Sequence, residues 1–183
     1  MSSCSNSDLC IKCGACCDGT ISGHVLLEDS DLKAVNLEMN LLKAGGKQVL
    51  KLPCAAHVNN TCSIYANRPA ICNHYECKLL EDYKKGEVTD HHALGAIDQL
   101  KALKNEIEML LIAAGVDSDK DDIHLKMWTL EKEALRTLST EQFHDLHRPL
   151  LEKFQTFKKL LTDRFGVEFK AINSFSQLSQ GEY

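Results

Sequence analysis

Eight cysteines between residues 10 and 77 constrain this chain more than any other feature. They run Cys10-x2-Cys13-x2-Cys16-Cys17, then Cys54, Cys62, Cys72 and Cys77. A ninth, Cys4, precedes them and none follows. Thiols crowded this closely hold a metal ion, an iron–sulfur cluster or disulfides. An odd count forbids complete disulfide pairing within one chain. Residues 1–8 are polar and lack the basic and apolar regions of a secretion signal, and no run of about 18 apolar residues would span a membrane. The chain therefore reads as cytoplasmic, where thiols are kept reduced and clustered cysteines serve metals.

The spacing says more about how these thiols are used. Read as a helix, Cys10, Cys13 and Cys17 share one face and Cys16 lies beyond it; read as a loop, each Cys-x2-Cys aims two sulfurs at one point. Either way at least three thiolates reach one centre. Neighbouring side chains diverge by about 100° in a helix and to opposite faces in a strand. Cys16 and Cys17 are therefore expected to serve different centres, or a shared polynuclear one. Eight thiolates are enough for two four-coordinate zinc ions, or for one four-thiolate cluster with four thiols left over. Soft thiolates select zinc, copper(I) or iron–sulfur clusters over magnesium or calcium. Cys10-x2-Cys13-x2-Cys16 matches the first three ligands of a [4Fe–4S] run, but Thr20 stands where the fourth would be. Spacing leaves zinc and iron both open.

Two patterns divide the chain. Residues 1–88 are irregular, with short strands expected over 21–27 and 49–52 and a hairpin over 55–63 turning at Asn59-Asn60. A helix of about three turns is expected to carry Leu32, Val35, Leu37 and Met39, and Arg68-Pro69 to open a short helical segment. Residues 89–172 are helical. Leu94, Ile97, Leu100, Leu103, Ile107, Leu110 and Leu111 recur with helical period, ended by Gly115. A second helix is expected over 121–138, and a third begins at the cap Ser139-Thr140 and is kinked or divided by Pro149. Residues 173–183 read as a polar tail. The expected fold is mainly α: a small irregular α+β cysteine-rich module followed by a three- or four-helix bundle.

Cys62-Ser63-Ile64-Tyr65-x2-Arg68-Pro69-x2-Cys72-x2-Tyr75-x-Cys77, with Pro53-Cys54 and the N-terminal Cys-x2-Cys-x2-Cys-Cys, resembles the cysteine-cluster (CxxCxxCC) family over roughly residues 8–85. That resemblance implies a zinc- or iron-chelating domain, with Cys10, Cys13, Cys16, Cys17, Cys54, Cys62, Cys72 and Cys77 as ligands. Cys4 lies outside the pattern, and Asn73 stands where the motif often has arginine. One relative, the flagellin lysine methylase, carries a similar cluster in an enzyme.

The function expected is metal binding by a cytosolic protein, through zinc or an iron–sulfur cluster. An enzyme using the cluster for group transfer to a protein side chain is the alternative, and a redox sensor built on Cys16-Cys17 ranks third. The sequence shows no P-loop, dinucleotide fingerprint, nucleophile elbow or metalloprotease motif. A net charge of -5 with no basic stripe disfavours nucleic acid. The helical half could carry a protein partner. His57 and His74 lie between cysteines and are candidate substitutes for a thiolate, whereas His91, His92, His144 and His147 read as surface residues. Arg68 has two readings, a helix-opening structural residue and a counter-charge for metal-bound thiolates.

Overall fold

A computed structural model describes residues 6–33, 40–44, 46–59 and 61–169. Cys4, the expected helical positions Val35, Leu37 and Met39, and the tail from residue 173 lie outside the described residues. The fold is mainly α, with small sheets confined to the N-terminal half.

The chain enters through α1 (Asn6–Cys13), followed by β1 (His24–Leu27), β2 (Leu41–Ala44) and β3 (Lys47–Lys51). These three strands form an antiparallel sheet in the order β1-β3-β2, with Leu26 opposite Val49 and Leu42 opposite Val49 on the other edge. The strand β2 is not evident in the sequence: Leu41 and Leu42 alone give too short a pattern. Gly46, at φ 79°, turns the chain into β3. The expected hairpin is β4 (His57–Val58) with β5 (Thr61–Cys62), and Asn59 takes the left-handed conformation at its tip. Two short helices complete this half, α2 (Ala70–His74) and α3 (Lys78–Lys84).

The helical half begins with α4 (Asp90–Ala113), capped by the Thr89 hydroxyl accepting from His92 N–H. It continues with α5 (Ile123–Ala134), α6 (Thr140–Leu146) and α7 (Arg148–Leu160). The Ser139 hydroxyl and the Gln142 side chain form a reciprocal capping box on α6, and Pro149 lies in the first turn of α7. Proline thus divides the third expected helix in two. The second ends earlier than expected, because Arg136 and Thr137 bond back only three residues and tighten the last turn. Beyond α7 a π-helical turn, Leu161–Phe165, closes at Gly166, whose φ is 73°.

One core joins the two halves. Ile97, Leu100, Ile107 and Leu111 of α4, Met127 and Leu130 of α5, Phe143 of α6 and Phe157 of α7 pack with Leu9, Ala15, Leu79 and Leu80 from the cysteine-bearing half. A second cluster under the sheet is much smaller, with Leu27, Leu50 and Ala56 as its buried members. Polar ties reinforce the seam. Lys51 Nζ lies 2.7 Å from Asp121 Oδ1, Lys104 Nζ lies 2.8 Å from Asp18 Oδ2, and the His124 ring meets Thr20 O at 2.9 Å. Among the described residues no helix is long and apolar enough to cross a membrane.

Candidate metal centre

Each cysteine is placed by a local device. Cys10 and Cys13 lie three residues apart on α1, so they share a face. The helix stops there because Gly14 takes φ 71° and its N–H returns to Cys10 O at 2.9 Å. A tight turn follows, with Cys17 N–H on Gly14 O at 2.8 Å and Ile21 N–H on Ala15 O at 3.1 Å. Ala15 is buried in the main core and anchors the turn. Cys16 and Cys17 therefore leave the helix, and the helical reading that aligned Cys17 with Cys10 and Cys13 does not apply.

The distal cysteines reach this turn by separate routes. Cys54 N–H donates to Cys17 O at 2.8 Å, and His57 N–H donates to Cys54 O at 2.9 Å. Cys62 sits directly opposite His57 in the β4–β5 pair. Cys72 rides on α2, whose first amide, Ala70 N–H, donates to Asp31 Oδ1 at 2.5 Å. Asp31 is buried, and its other oxygen accepts from Glu28 N–H at 3.1 Å. Asp31 thus positions a helix 39 residues away. No sequence motif announces such a long-range cap. Cys77 is the N-cap residue of α3 and packs, like Cys13, against the main core, whereas Cys54 packs against the small cluster under the sheet.

All eight cysteines are free thiols. They act on one another in two sets of four. Cys10 feels Cys77; Cys13 feels Cys77 and Cys10; Cys16 feels Cys13, Cys77 and Cys10. Cys17 instead feels Cys54, Cys62 and Cys72, and Cys72 feels Cys54 and Cys62. The adjacent pair is where the sets meet, since Cys16 also feels Cys17.

Cys10, Cys16 and Cys72 are exposed at the surface and the other five cysteines are half-buried. Desolvation by the surrounding protein is still the first cause that raises Cys10, Cys13, Cys16, Cys17, Cys54, Cys72 and Cys77, and repulsion from neighbouring thiolates adds to it at all of these but Cys77. Cys13 and Cys17 are pushed up to about 12 and Cys72 to about 11; Cys10, Cys16, Cys54 and Cys77 are also raised. At Cys77 the backbone amides of Leu79 and Leu80 oppose the rise by favouring the thiolate, although neither completes a capping hydrogen bond to the sulfur. Tyr75, exposed at the surface, is pushed up to about 12 by desolvation and then by the Cys16 and Cys77 charges.

These shifts make a prediction for the metal-free protein. The folded thiols stay protonated above the ordinary value of 9.0, whereas unfolded ones ionise there. Their contribution is present in full below about pH 9 and is lost as pH rises through the folded values near 11 and 12. The urea midpoint of metal-free, reduced protein is expected to fall between about pH 8 and about pH 10.5. An unchanged or rising midpoint contradicts these upward shifts.

The histidines divide. His57 is half-buried, burial lowers its affinity for a proton, and its Nε2 is enclosed with no hydrogen-bond partner. His74 is exposed at the end of α2, and His91, His92 and His144 are exposed on α4 and α6. His147 packs against Phe143 with ring centroids 5.0 Å apart.

Among the described residues, no three His, Cys, Asp or Glu side chains stand in metal-coordinating geometry. The thiols are gathered by set without being closed on a point. The donor chemistry nonetheless fits a soft ion, because each set offers four sulfurs and the repulsion within it is what a cation would relieve.

Residues 9–94 match the family model CxxCxxCC, whose description is "Putative zinc- or iron-chelating domain". The match covers just under half of the chain. No curated protein and no solved structure matches the chain. The matched segment runs from α1 into the start of α4 and includes all eight cysteines described above.

Proposed function

We propose that the matched segment binds two metal ions or clusters, each through four thiolates. Cys10, Cys13, Cys16 and Cys77 hold the first, and Cys17, Cys54, Cys62 and Cys72 hold the second. The observation that carries this reading is where the backbone puts the cysteines: α1 with Cys10 and Cys13 packs on α3, whose N-cap is Cys77, while Cys54 N–H bonds to Cys17 O at 2.8 Å. The electrostatic influence of the thiols on one another follows the same division. Backbone support is consistent with it: α1 and the N-cap of α3 serve the first set, while the Cys17–Cys54 hydrogen bond and the β4–β5 pair serve the second.

Zinc bound in this way is tetrahedral and closed, which suits a structural or storage site; iron bound in this way makes a cluster, which suits electron transfer. Binding displaces the thiol protons, so affinity rises with pH. The protein works in this reading as a cytoplasmic metal-binding protein, in a compartment that keeps these thiols reduced.

The test is purification without oxygen, followed by metal analysis and a visible spectrum. Two zinc ions per colourless chain support two closed sites. A broad absorption band near about 400 nm supports iron–sulfur clusters. Metal-free protein with all eight thiols open to alkylation refutes the proposal.

A further inference from the structure

Among the described residues, two enclosed side-chain polar atoms lack a hydrogen-bond partner, Thr20 Oγ1 and His57 Nε2. Buried polar groups in folded proteins are nearly always satisfied, so each such atom calls for an explanation. Thr20 lies at the seam between the halves, where its carbonyl meets the His124 ring at 2.9 Å. His57 lies among the cysteines instead.

The backbone fixes the face from which its ring projects. His57 N–H donates to Cys54 O at 2.9 Å, and Cys54 N–H donates to Cys17 O at 2.8 Å, so His57 is tied to two members of the second set. It also stands directly opposite Cys62 in the antiparallel β4–β5 pair, which Ser63 N–H extends by donating to Ala56 O at 2.8 Å. Directly opposite residues share a face, with Cβ atoms about 4.5–5.5 Å apart. Ala56, the chain neighbour of His57, is buried in the small cluster under the sheet, and successive residues of an extended strand point to opposite faces. The His57 imidazole and the Cys62 thiol therefore stand side by side on the face turned away from that cluster.

A divalent ion held by four thiolates leaves a formal charge of about -2 on the centre, so its sulfurs call for donors. Nearby cations are engaged elsewhere: Arg68 donates to Tyr65 O at 3.1 Å and to Asn73 Oδ1 at 2.6 Å, Lys84 pairs with Glu76, and Lys104 pairs with Asp18. A neutral imidazole offers one N–H, while four thiolates already fill a tetrahedral ion and leave no place for a fifth ligand. A protonated thiol is a weak acceptor and a thiolate a strong one, so metal binding converts Cys62 into the partner that Nε2 lacks.

We propose that His57 is a positioning residue of the second centre, whose Nε2–H donates to the metal-bound sulfur of Cys62. This rests on the two-centre reading. The bond satisfies the orphaned nitrogen and holds the Cys62 side chain toward the metal.

The probe is zinc alone, titrated into reduced, metal-free protein against a chromophoric chelator. His57→Phe, which keeps a ring and removes the N–H, is expected to weaken one of the two zinc sites about tenfold, the scale of losing an outer-shell partner, and to leave the other unchanged. His57→Gln, which keeps an N–H donor, is expected to recover most of that loss. In the zinc-loaded proteins, iodoacetamide is expected to alkylate Cys62 faster in His57→Phe than in wild type, because a thiolate that loses its donor is less stabilised, with Cys10 and Cys13 unaffected.

No loss in His57→Phe, or a loss at both sites, overturns the role while leaving two-centre binding intact. An equal loss in His57→Gln also overturns it, because the ring would then act through packing. Complete loss of one zinc makes His57 a ligand and overturns it too. A wild-type chain that takes up no zinc or iron overturns both readings. If His57→Phe does not fold, the tautomer of His57 in zinc-loaded wild type decides, read from long-range proton–nitrogen correlation spectra: a proton on Nε2 upholds the role, and a proton on Nδ1 alone overturns it.

Discussion

Stripping metal from the loaded protein is expected to loosen the sheet, the β4–β5 hairpin and α2 while leaving α4–α7 folded. The reason is the unequal distribution of apolar burial. The helical half shares a core of many fully buried side chains, Ile107, Leu111, Phe157 and Leu161 among them, and α1 and α3 pack into it. Among the described residues, the segment from β1 to α2 buries Leu27, Val49, Leu50, Leu52, Ala56 and Pro69, and its own cluster is built on Leu27, Leu50 and Ala56. Ordering a residue costs about 1–2 kcal/mol in backbone entropy, and so few buried apolar side chains cannot offset that over some fifty residues. Structural zinc in small domains contributes on the order of 10 kcal/mol. Amide exchange read by mass spectrometry is therefore expected to accelerate at least a hundredfold in β1–β3 after chelation, with little change in α4. Equal protection in β1–β3 before and after chelation would refute metal stapling of this segment.

The second large effect is expected at the seam between the halves. Gly19 takes φ 80°, and a methyl group added there would lie 2.6 Å from Asp122 Cβ. Asp122 cannot move away cheaply. It is buried and caps α5, accepting from His124 N–H at 2.9 Å and Leu125 N–H at 3.1 Å. Gly19→Ala thus combines left-handed strain with a clash against a fixed side chain, and should destabilise the protein by about 3 kcal/mol. Gly86→Ala provides the comparison, since Gly86 has φ 76° but nothing within 4 Å of the added carbon. That substitution should cost about 1 kcal/mol, from strain alone. Urea unfolding of metal-loaded protein measures both, and equal losses would mean that the Asp122 contact is not a constraint.

Regular elements were legible wherever one local rule governed them. The stripe from Ile97 to Leu111, the Ser139 cap and the turn at Asn59 need only a few neighbouring residues to specify them. Less visible were elements whose reason lies far along the chain. Strand β2 exists because β3 is there to pair with it, and α2 begins where Asp31 supplies its cap from 39 residues away. Helix α3 escaped notice because Leu79 and Leu80 are an apolar pair too short to show a period, and their partners lie in α1, α4 and beyond α7.

The cysteines show the same division most sharply. Sequence alone determined that eight soft donors sit within one segment, and that Cys16 and Cys17, as chain neighbours, are poorly suited to a single tetrahedron. It could not assign partners, because eight similar thiols allow many groupings and spacing distinguishes few of them. Tertiary structure decided which thiols are neighbours. Gly14 ends α1 and turns Cys16 and Cys17 out of the helix, Cys17 is then held to Cys54 by a backbone hydrogen bond, and Cys77 is brought to Cys10, Cys13 and Cys16 by the packing of α3 on α1. Residue type and local spacing set the chemistry of the donors, whereas their neighbourhood depends on long-range hydrogen bonds and core packing that no short window of sequence contains.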